Sequence, residues 1–157
     1  MSRDEGFTLV ELMVVLAAIT AACSRSTGHD PHAFEVHTFF GELRIKQEQF
    51  MVENAAYLSL SANEGDSCCG ATERVRGSLS NAPAAYAKLR FEPELAQLEC
   101  NYVVIAGKAG DNTGIGRVGS AIMPDSPASD WWYGIAHCPS DDRTYLTKHD
   151  VDKVIRY

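Results

Sequence analysis

A single carboxylate, Glu11, lies inside an otherwise apolar run at residues 7–23. A charged side chain near the middle of a membrane span costs about 2.5 kcal/mol or more, so it rarely lies there without a partner. The chemistry predicted for Glu11 is therefore ion pairing in a medium of low dielectric constant. We expect the cation to come from another copy of the same chain.

The residues around Glu11 resemble the class III signal of type IV pilins and of the pseudopilins of type II secretion. Gly6 stands where that signal is cleaved, Phe7 would be the new N-terminus, and residues 1–5 form a short polar leader. The resemblance implies cleavage after Gly6 by a prepilin peptidase and N-methylation of Phe7. It also implies that Glu11 pairs with the N-terminal amine of a neighbouring subunit.

Other N-terminal signals fit these residues less well. A secretory signal peptide has a positively charged start and an uncharged apolar core, whereas Asp4 and Glu5 outnumber Arg3 here. Residues 20–23 loosely resemble a lipoprotein signal that would acylate Cys23, but Thr20 is a poor substitute for the usual leucine. A plain anchor stays open, because the run is at the short end of the 17–25 residues that span a bilayer.

The four cysteines beyond the apolar run predict disulfide bonds, because their number is even and the context is extracytoplasmic. They are Cys68, Cys69, Cys100 and Cys138. A bond between adjacent Cys68 and Cys69 would strain the backbone, so we expect each to pair elsewhere or one to stay free. We predict that Cys138 is bonded, with a link from Cys68 or Cys69 to Cys100 or Cys138.

Catalytic and metal-binding patterns are weak in this chain. The sequence contains no G-x-S-x-G, H-E-x-x-H or phosphate-binding G-x-x-x-x-G-K-[ST] motif. Its cysteines lack the C-x-x-C spacing of zinc sites, and residues 111–112 and 141–142 lack the acidic spacing of a calcium loop. We expect His29, His32 and His37 to be exposed polar residues. The prediction is a protein that is not an enzyme and that holds no metal and no cofactor.

Composition limits the remaining possibilities. The chain has 157 residues and 45% apolar content, enough for one modest core beyond the N-terminal segment. Its formal charge of −7 gives no general electrostatic support for nucleic-acid binding.

The pattern along the chain predicts an α+β fold. An N-terminal apolar helix is expected to break near residues 24–31, where small polar residues surround Gly28. Asp30 and Pro31 are then the N-cap and the first residue of a second helix. An apolar stripe then predicts an amphipathic helix from Pro31 to about Leu58. The stripe consists of Val36, Phe39, Phe40, Leu43 and Phe50.

The family resemblance implies that this second helix packs on a small antiparallel sheet. In that family one long helix normally runs through the break, and Gly28 here replaces a common proline. Whether the break is a preset extension of the helix or a flexible linker stays open.

Further elements follow from local patterns. Strands are predicted at Asn101–Ala106, Val118–Met123, Trp132–Cys138 and residues 143–146, with a strand or short helix at Val151–Ile155. Short helices are predicted at Ala84–Leu89 and Glu92–Leu98, and a glycine-rich loop at residues 107–119. The expected domains are a leader at 1–6, a membrane and filament-core helix at 7–23, a break at 24–30 and a pilin-like globular domain at 31–157.

The resemblance implies a structural subunit of a type IV pilus or pilus-like filament, serving adhesion, twitching motility or DNA uptake. A pseudopilin of type II secretion and a membrane-tethered lipoprotein-type binding domain are the alternatives. The expected partners are other copies of the chain, the prepilin peptidase and methyltransferase, and an inner-membrane assembly platform. The subunit would first span the inner membrane with its N-terminus in the cytoplasm, and would later lie in an extracellular or periplasmic filament.

Overall fold

The computed structural model describes residues 30–79 and 83–157. Over these residues the elements are helix α1 (Pro31–Asn54), helix α2 (Ala84–Lys88) and four strands. The strands are β1 (Asn101–Gly107), β2 (Trp131–Cys138), β3 (Arg143–Lys148) and β4 (Val151–Arg156). Pro31–Tyr157 form one compact unit. The predicted apolar helix at 7–23 and the break before Asp30 lie outside the described residues.

Helix α1 carries the predicted apolar stripe on its buried face. Val36, Phe39, Phe40 and Leu43 are each at most 2% exposed, and Phe50 packs partly buried against them. The spacing of three and four residues places these side chains on one side of the helix. This part of the prediction is confirmed.

Helix α1 ends at Asn54, earlier than the predicted Leu58. Ala55 adopts a positive φ of 54°, and its N–H donates to the carbonyl of Met51 at 2.8 Å, which is a left-handed helix end. The chain then turns back along the helix. There, the buried Gln47 amide donates to the Leu58 carbonyl at 2.7 Å and accepts from the Leu58 N–H at 3.0 Å.

The sheet is antiparallel with the strand order β1-β2-β3-β4, within the predicted three or four strands. The predicted strand at Val118–Met123 is wrong, because Gly119–Ala121 form a 3-10 turn there. The predicted helix at Glu92–Leu98 is also wrong. Leu98 instead exchanges two backbone hydrogen bonds with Gly77, so the residues before it are extended or bent.

Alternate residues of the central strands face α1, because successive side chains of a strand point to opposite faces. Tyr102, Trp132 and Ala136 on this face are fully buried, and the Phe39 ring stacks on Tyr102 with centroids 3.6 Å apart. A Cβ at Gly134 would overlap the Phe40 ring, so this position requires glycine.

The opposite face of the sheet is also buried, which the sequence did not predict. Val103, Ile105, Trp131 and Tyr133 pack there against the loop that follows β1, through residues 115–123. The Glu64 carboxylate holds that loop by accepting the backbone N–H groups of residues 118 and 119 at 3.0 and 2.7 Å. The sheet is therefore covered by a helix on one side and by an irregular loop on the other.

Candidate functional site

The predicted processing and assembly residues, Gly6, Phe7 and Glu11, lie outside the described residues, as does Cys23. Among residues 30–79 and 83–157, no helix is both long enough and apolar enough to cross a bilayer. Four other features lie within the described part and are candidates for a functional role. They are the cysteine bonds, a buried histidine cluster, a buried carboxylate and the outer face of α1.

The structure pairs Cys100 with Cys138 and Cys68 with Cys69. The prediction that Cys138 is bonded is confirmed. The predicted link from Cys68 or Cys69 to Cys100 or Cys138 is wrong, and so is the expectation that the adjacent cysteines do not bond to each other.

Strand order explains the pairing. The N–H of Cys68 donates to the Tyr102 carbonyl at 2.8 Å, which places Cys68 on the free edge of β1. Cys138 lies on β2, at the other edge of β1, and only Cys100 at the start of β1 is near it, with Cα atoms 4.0 Å apart. A positive φ of 90° at Cys69 accompanies the turn in which the adjacent cysteines bond.

His32, the second residue of α1, is 4% exposed, so the expectation of an exposed side chain is wrong. Its Nδ1 lies 3.2 Å from a Glu99 oxygen, and its Nε2 lies 2.9 Å from the Ser140 hydroxyl and 3.5 Å from an Asp141 oxygen. Two acids therefore flank a buried imidazole beside the Cys100–Cys138 bond. Sequence spacing could not indicate this cluster, since its members are up to 109 positions apart.

The Glu35 carboxylate, 7% exposed, attaches α1 to the start of β1. It accepts hydrogen bonds from the N–H groups of Glu99 and Cys100 at 2.7 and 3.0 Å, and from the Tyr102 hydroxyl at 2.8 Å. Burial and the neighbouring Glu35 charge raise the pKa of Tyr102 far above its ordinary value. The phenol therefore stays protonated and acts as a donor. Sequence reasoning missed Glu35, and its position directly before the buried Val36 was the available signal.

The other sites considered from the sequence have local explanations. His37 is exposed, as expected, whereas His29 lies outside the described residues. The Asp111 carboxylate accepts the N–H and hydroxyl of Thr113, which lowers the pKa of Asp111. Asp141 pairs with Arg143 Nε at 2.9 Å. The two loops considered for calcium thus form turns with their own neighbours.

The outer face of α1, which points away from the sheet, carries three exposed apolar side chains: Phe34, Ile45 and Val52. These side chains are 72%, 69% and 86% exposed. The positions are 11 and 7 residues apart, which is about three and two turns of a helix with 3.6 residues per turn. They therefore lie along one side of α1, opposite its buried face, with exposed Gly41 and Glu48 on the same side between them.

Comparison with known proteins matches residues 1–22 to the prokaryotic N-terminal methylation motif. This motif is the class III prepilin signal of type IV pilins and pseudopilins, so the predicted resemblance of the N-terminal segment to that signal is confirmed. No curated protein and no solved structure matches the chain. The motif and the α+β architecture together support a type IV pilin-like or pseudopilin protein.

Proposed function

We propose that the chain is a structural subunit of a type IV pilus or pilus-like filament. The observation that carries the proposal is the methylation motif at residues 1–22, which contains a carboxylate within an apolar run. The role is structural rather than catalytic. A prepilin peptidase and methyltransferase, an inner-membrane assembly platform and other copies of the chain are its partners.

Assembly follows from the chemistry of Glu11. Cleavage after Gly6 creates a positive amine at Phe7, and the amine of an incoming subunit meets Glu11 of its neighbour within a bundle of apolar helices. The attraction between opposite charges is far stronger in a medium of low dielectric constant than in water. An unpaired Glu11 in lipid is penalised, so pairing favours assembly in one register.

The outer face of α1 supports this proposal. Burial of large exposed apolar side chains against a partner is favourable, by about 25 cal/mol per Å² of apolar surface removed from water. Phe34, Ile45 and Val52 extend along the helix for 18 residue positions. They are suited to contact helices of adjacent subunits, while the sheet side of the domain faces outward.

The test is a Glu11→Ala variant expressed in place of the native chain. We expect it to be membrane-bound but absent from sheared filaments, because the incoming amine has no partner. Glu5→Ala is the matched control, since it removes a carboxylate from the leader that cleavage discards. Normal incorporation of Glu11→Ala into filaments would show that the pairing mechanism is wrong.

The mass of the N-terminal peptide of the mature chain distinguishes the alternatives. A chain that begins with N-methylated Phe7 supports the filament subunit, whereas a lipid-modified Cys23 supports the tethered binding domain. The same motif occurs in pseudopilins of type II secretion. Deletion of the gene then separates the two filament roles: loss of surface filaments indicates a pilus, and retention of normally secreted proteins inside the cell indicates a secretion pseudopilus.

A further inference from the structure

A serine, a histidine and a carboxylate lie in a row at the junction of α1 with the sheet. His32 is in the first turn of α1, Ser140 is in the turn between β2 and β3, and Glu99 precedes β1 by two residues. Ser140 Oγ lies 2.9 Å from His32 Nε2, and a Glu99 oxygen lies 3.2 Å from Nδ1 of the same ring. A hydroxyl beside a base that a third group orients is the arrangement used in nucleophilic catalysis by serine.

The contacts of the imidazole favour the tautomer in which His32 can act as a base. A carboxylate accepts hydrogen bonds and donates none, so the Glu99 oxygen places the ring proton on Nδ1. Nε2 is then an acceptor, and the Ser140 hydroxyl donates to it. An Asp141 oxygen also faces Nε2, but it is farther away, at 3.5 Å, and the same oxygen lies 2.9 Å from Arg143 Nε. Ser140 is therefore the group whose proton His32 can take.

Two links outside the row hold its members in place. Glu35, three residues along α1 from the histidine, accepts the Glu99 N–H at 2.7 Å and so fixes the backbone that carries the Glu99 side chain. The Cys100–Cys138 bond joins the residue after Glu99 to the residue two before Ser140. Such support matters because a small displacement of a base or a nucleophile costs much of its rate.

The row is buried at its centre and open at the serine. His32 is 4% exposed, whereas Ser140 is exposed and lines an open cavity of about 190 Å³. This cavity is smaller than the roughly 300–1,000 Å³ of sites for drug-sized ligands, so it suits a short acyl group. The charged residues that line it are two arginines and two glutamates, whose formal charges cancel: Glu73, Arg74, Arg76 and Glu99. A short uncharged ester is therefore the substrate that fits.

We propose that Ser140 is a nucleophilic serine that accepts acyl groups from short uncharged esters, with His32 as its general base and Glu99 orienting His32. The Ser140 proton moves to Nε2 as Oγ bonds to the ester carbonyl carbon. The bond from that carbon to the alcohol oxygen then breaks, and the alcohol leaves with the proton. Water attacks the acyl-serine with the same proton transfers and releases a carboxylic acid. This reactivity is additional to the filament role and does not depend on it.

The first test uses a fluorophosphonate probe, which bonds to a nucleophilic serine through phosphorus and releases fluoride. The full-length chain in detergent is incubated with the probe, and the labelled peptide is identified by mass spectrometry. We expect the label on Ser140 of the folded chain and none after heat denaturation. Ser140→Ala should abolish the labelling, whereas Ser126→Ala, at another exposed position, should leave it unchanged. The absence of a label on Ser140 of the folded chain, or equal labelling after denaturation, would overturn the proposal.

Variants then assign the roles of the other two residues through hydrolysis of p-nitrophenyl acetate. His32→Gln should lower kcat at least about 100-fold, because a general base contributes about 10²–10⁴-fold. His37→Gln, at an exposed position of the same helix, should leave kcat unchanged. Glu99→Gln keeps the size of the side chain and should lower kcat at least about tenfold with KM unchanged, because Glu99 acts through the imidazole. A change confined to KM would show that Glu99 does not orient His32.

Circular dichroism and tryptophan fluorescence establish which variants are folded. A folded His32→Gln chain with the native kcat would overturn the assignment of His32 as the base. If His32→Gln does not fold, the comparison of the native chain with Ser140→Ala still decides whether Ser140 is the nucleophile, because that change removes only an exposed hydroxyl. Equal hydrolysis by those two chains would overturn the proposal.

Discussion

Replacement of Glu35 should destabilise the globular domain more than replacement of any exposed carboxylate on α1. Its carboxylate accepts three hydrogen bonds at 2.7–3.0 Å and is almost completely buried. A hydrogen bond to a charged group contributes about 1.5–3 kcal/mol, and a buried donor that loses its acceptor costs about 1–3 kcal/mol.

Glu35→Ala leaves three donors without their acceptor, and two of them, the Cys100 N–H and the Tyr102 hydroxyl, are buried. Because such costs are not additive, we expect a loss of about 3–5 kcal/mol in the free energy of unfolding. Glu35→Gln keeps one acceptor oxygen for the Cys100 N–H and the Tyr102 hydroxyl but turns an amide donor toward the Glu99 N–H. We expect it to cost about 1.5–3 kcal/mol.

The assay is equilibrium unfolding in guanidinium chloride, followed by tryptophan fluorescence. The only tryptophans of the chain, Trp131 and Trp132, are buried in β2 and report directly on the sheet. Glu53→Gln is the matched control, because Glu53 lies exposed on the same helix. It should change the free energy of unfolding by less than about 0.5 kcal/mol.

A double-mutant cycle with Tyr102→Phe measures the part of the Glu35 effect that acts through the phenol. We expect a coupling energy of about 0.5–3 kcal/mol between the two positions, as is usual for groups in direct contact. A Glu35→Ala effect as small as that of Glu53→Gln would refute the conclusion that Glu35 attaches the helix to β1.

Three further predictions follow from the packing and the charges. Gly134→Ala should cost about 1–3 kcal/mol because its Cβ overlaps the Phe40 ring, and Phe40→Leu should recover part of that loss in a thermal melt. Burial raises the pKa of Tyr133 from its ordinary value near 10 to about 12. The stabilising contribution of the protonated Tyr133 hydroxyl is therefore complete below pH 10 and is lost as the pH rises through 12. Guanidinium titrations across that range should show a falling free energy of unfolding. An unchanged free energy of unfolding would contradict the raised pKa of Tyr133. Ile45→Glu should leave that free energy within about 0.5 kcal/mol of the native value and reduce recovery of sheared filaments. A native filament yield from Ile45→Glu would argue against a contact through the outer face.

The sequence alone was sufficient for features that depend on local pattern. The apolar stripe of α1 and the strands β1 and β2 were predicted within a few residues, because spacing along the chain decides which side chains share a face. The helix end at Asn54 and the turn at Gly119–Ala121 were missed. Backbone hydrogen bonds and a positive φ set these boundaries, and residue type reports them weakly.

The tertiary structure alone decided which distant residues meet. The Cys100–Cys138 bond depends on β1 and β2 being neighbours in one register, while Cys68 lies on the other edge of β1. Burial of His32 and Glu35 likewise depends on where α1 crosses the start of β1. Sequence spacing carries no information about such approaches, because strand pairing and helix docking are set by packing over the whole domain. The methylation motif could be recognised directly, since its chemistry lies in one short, contiguous segment.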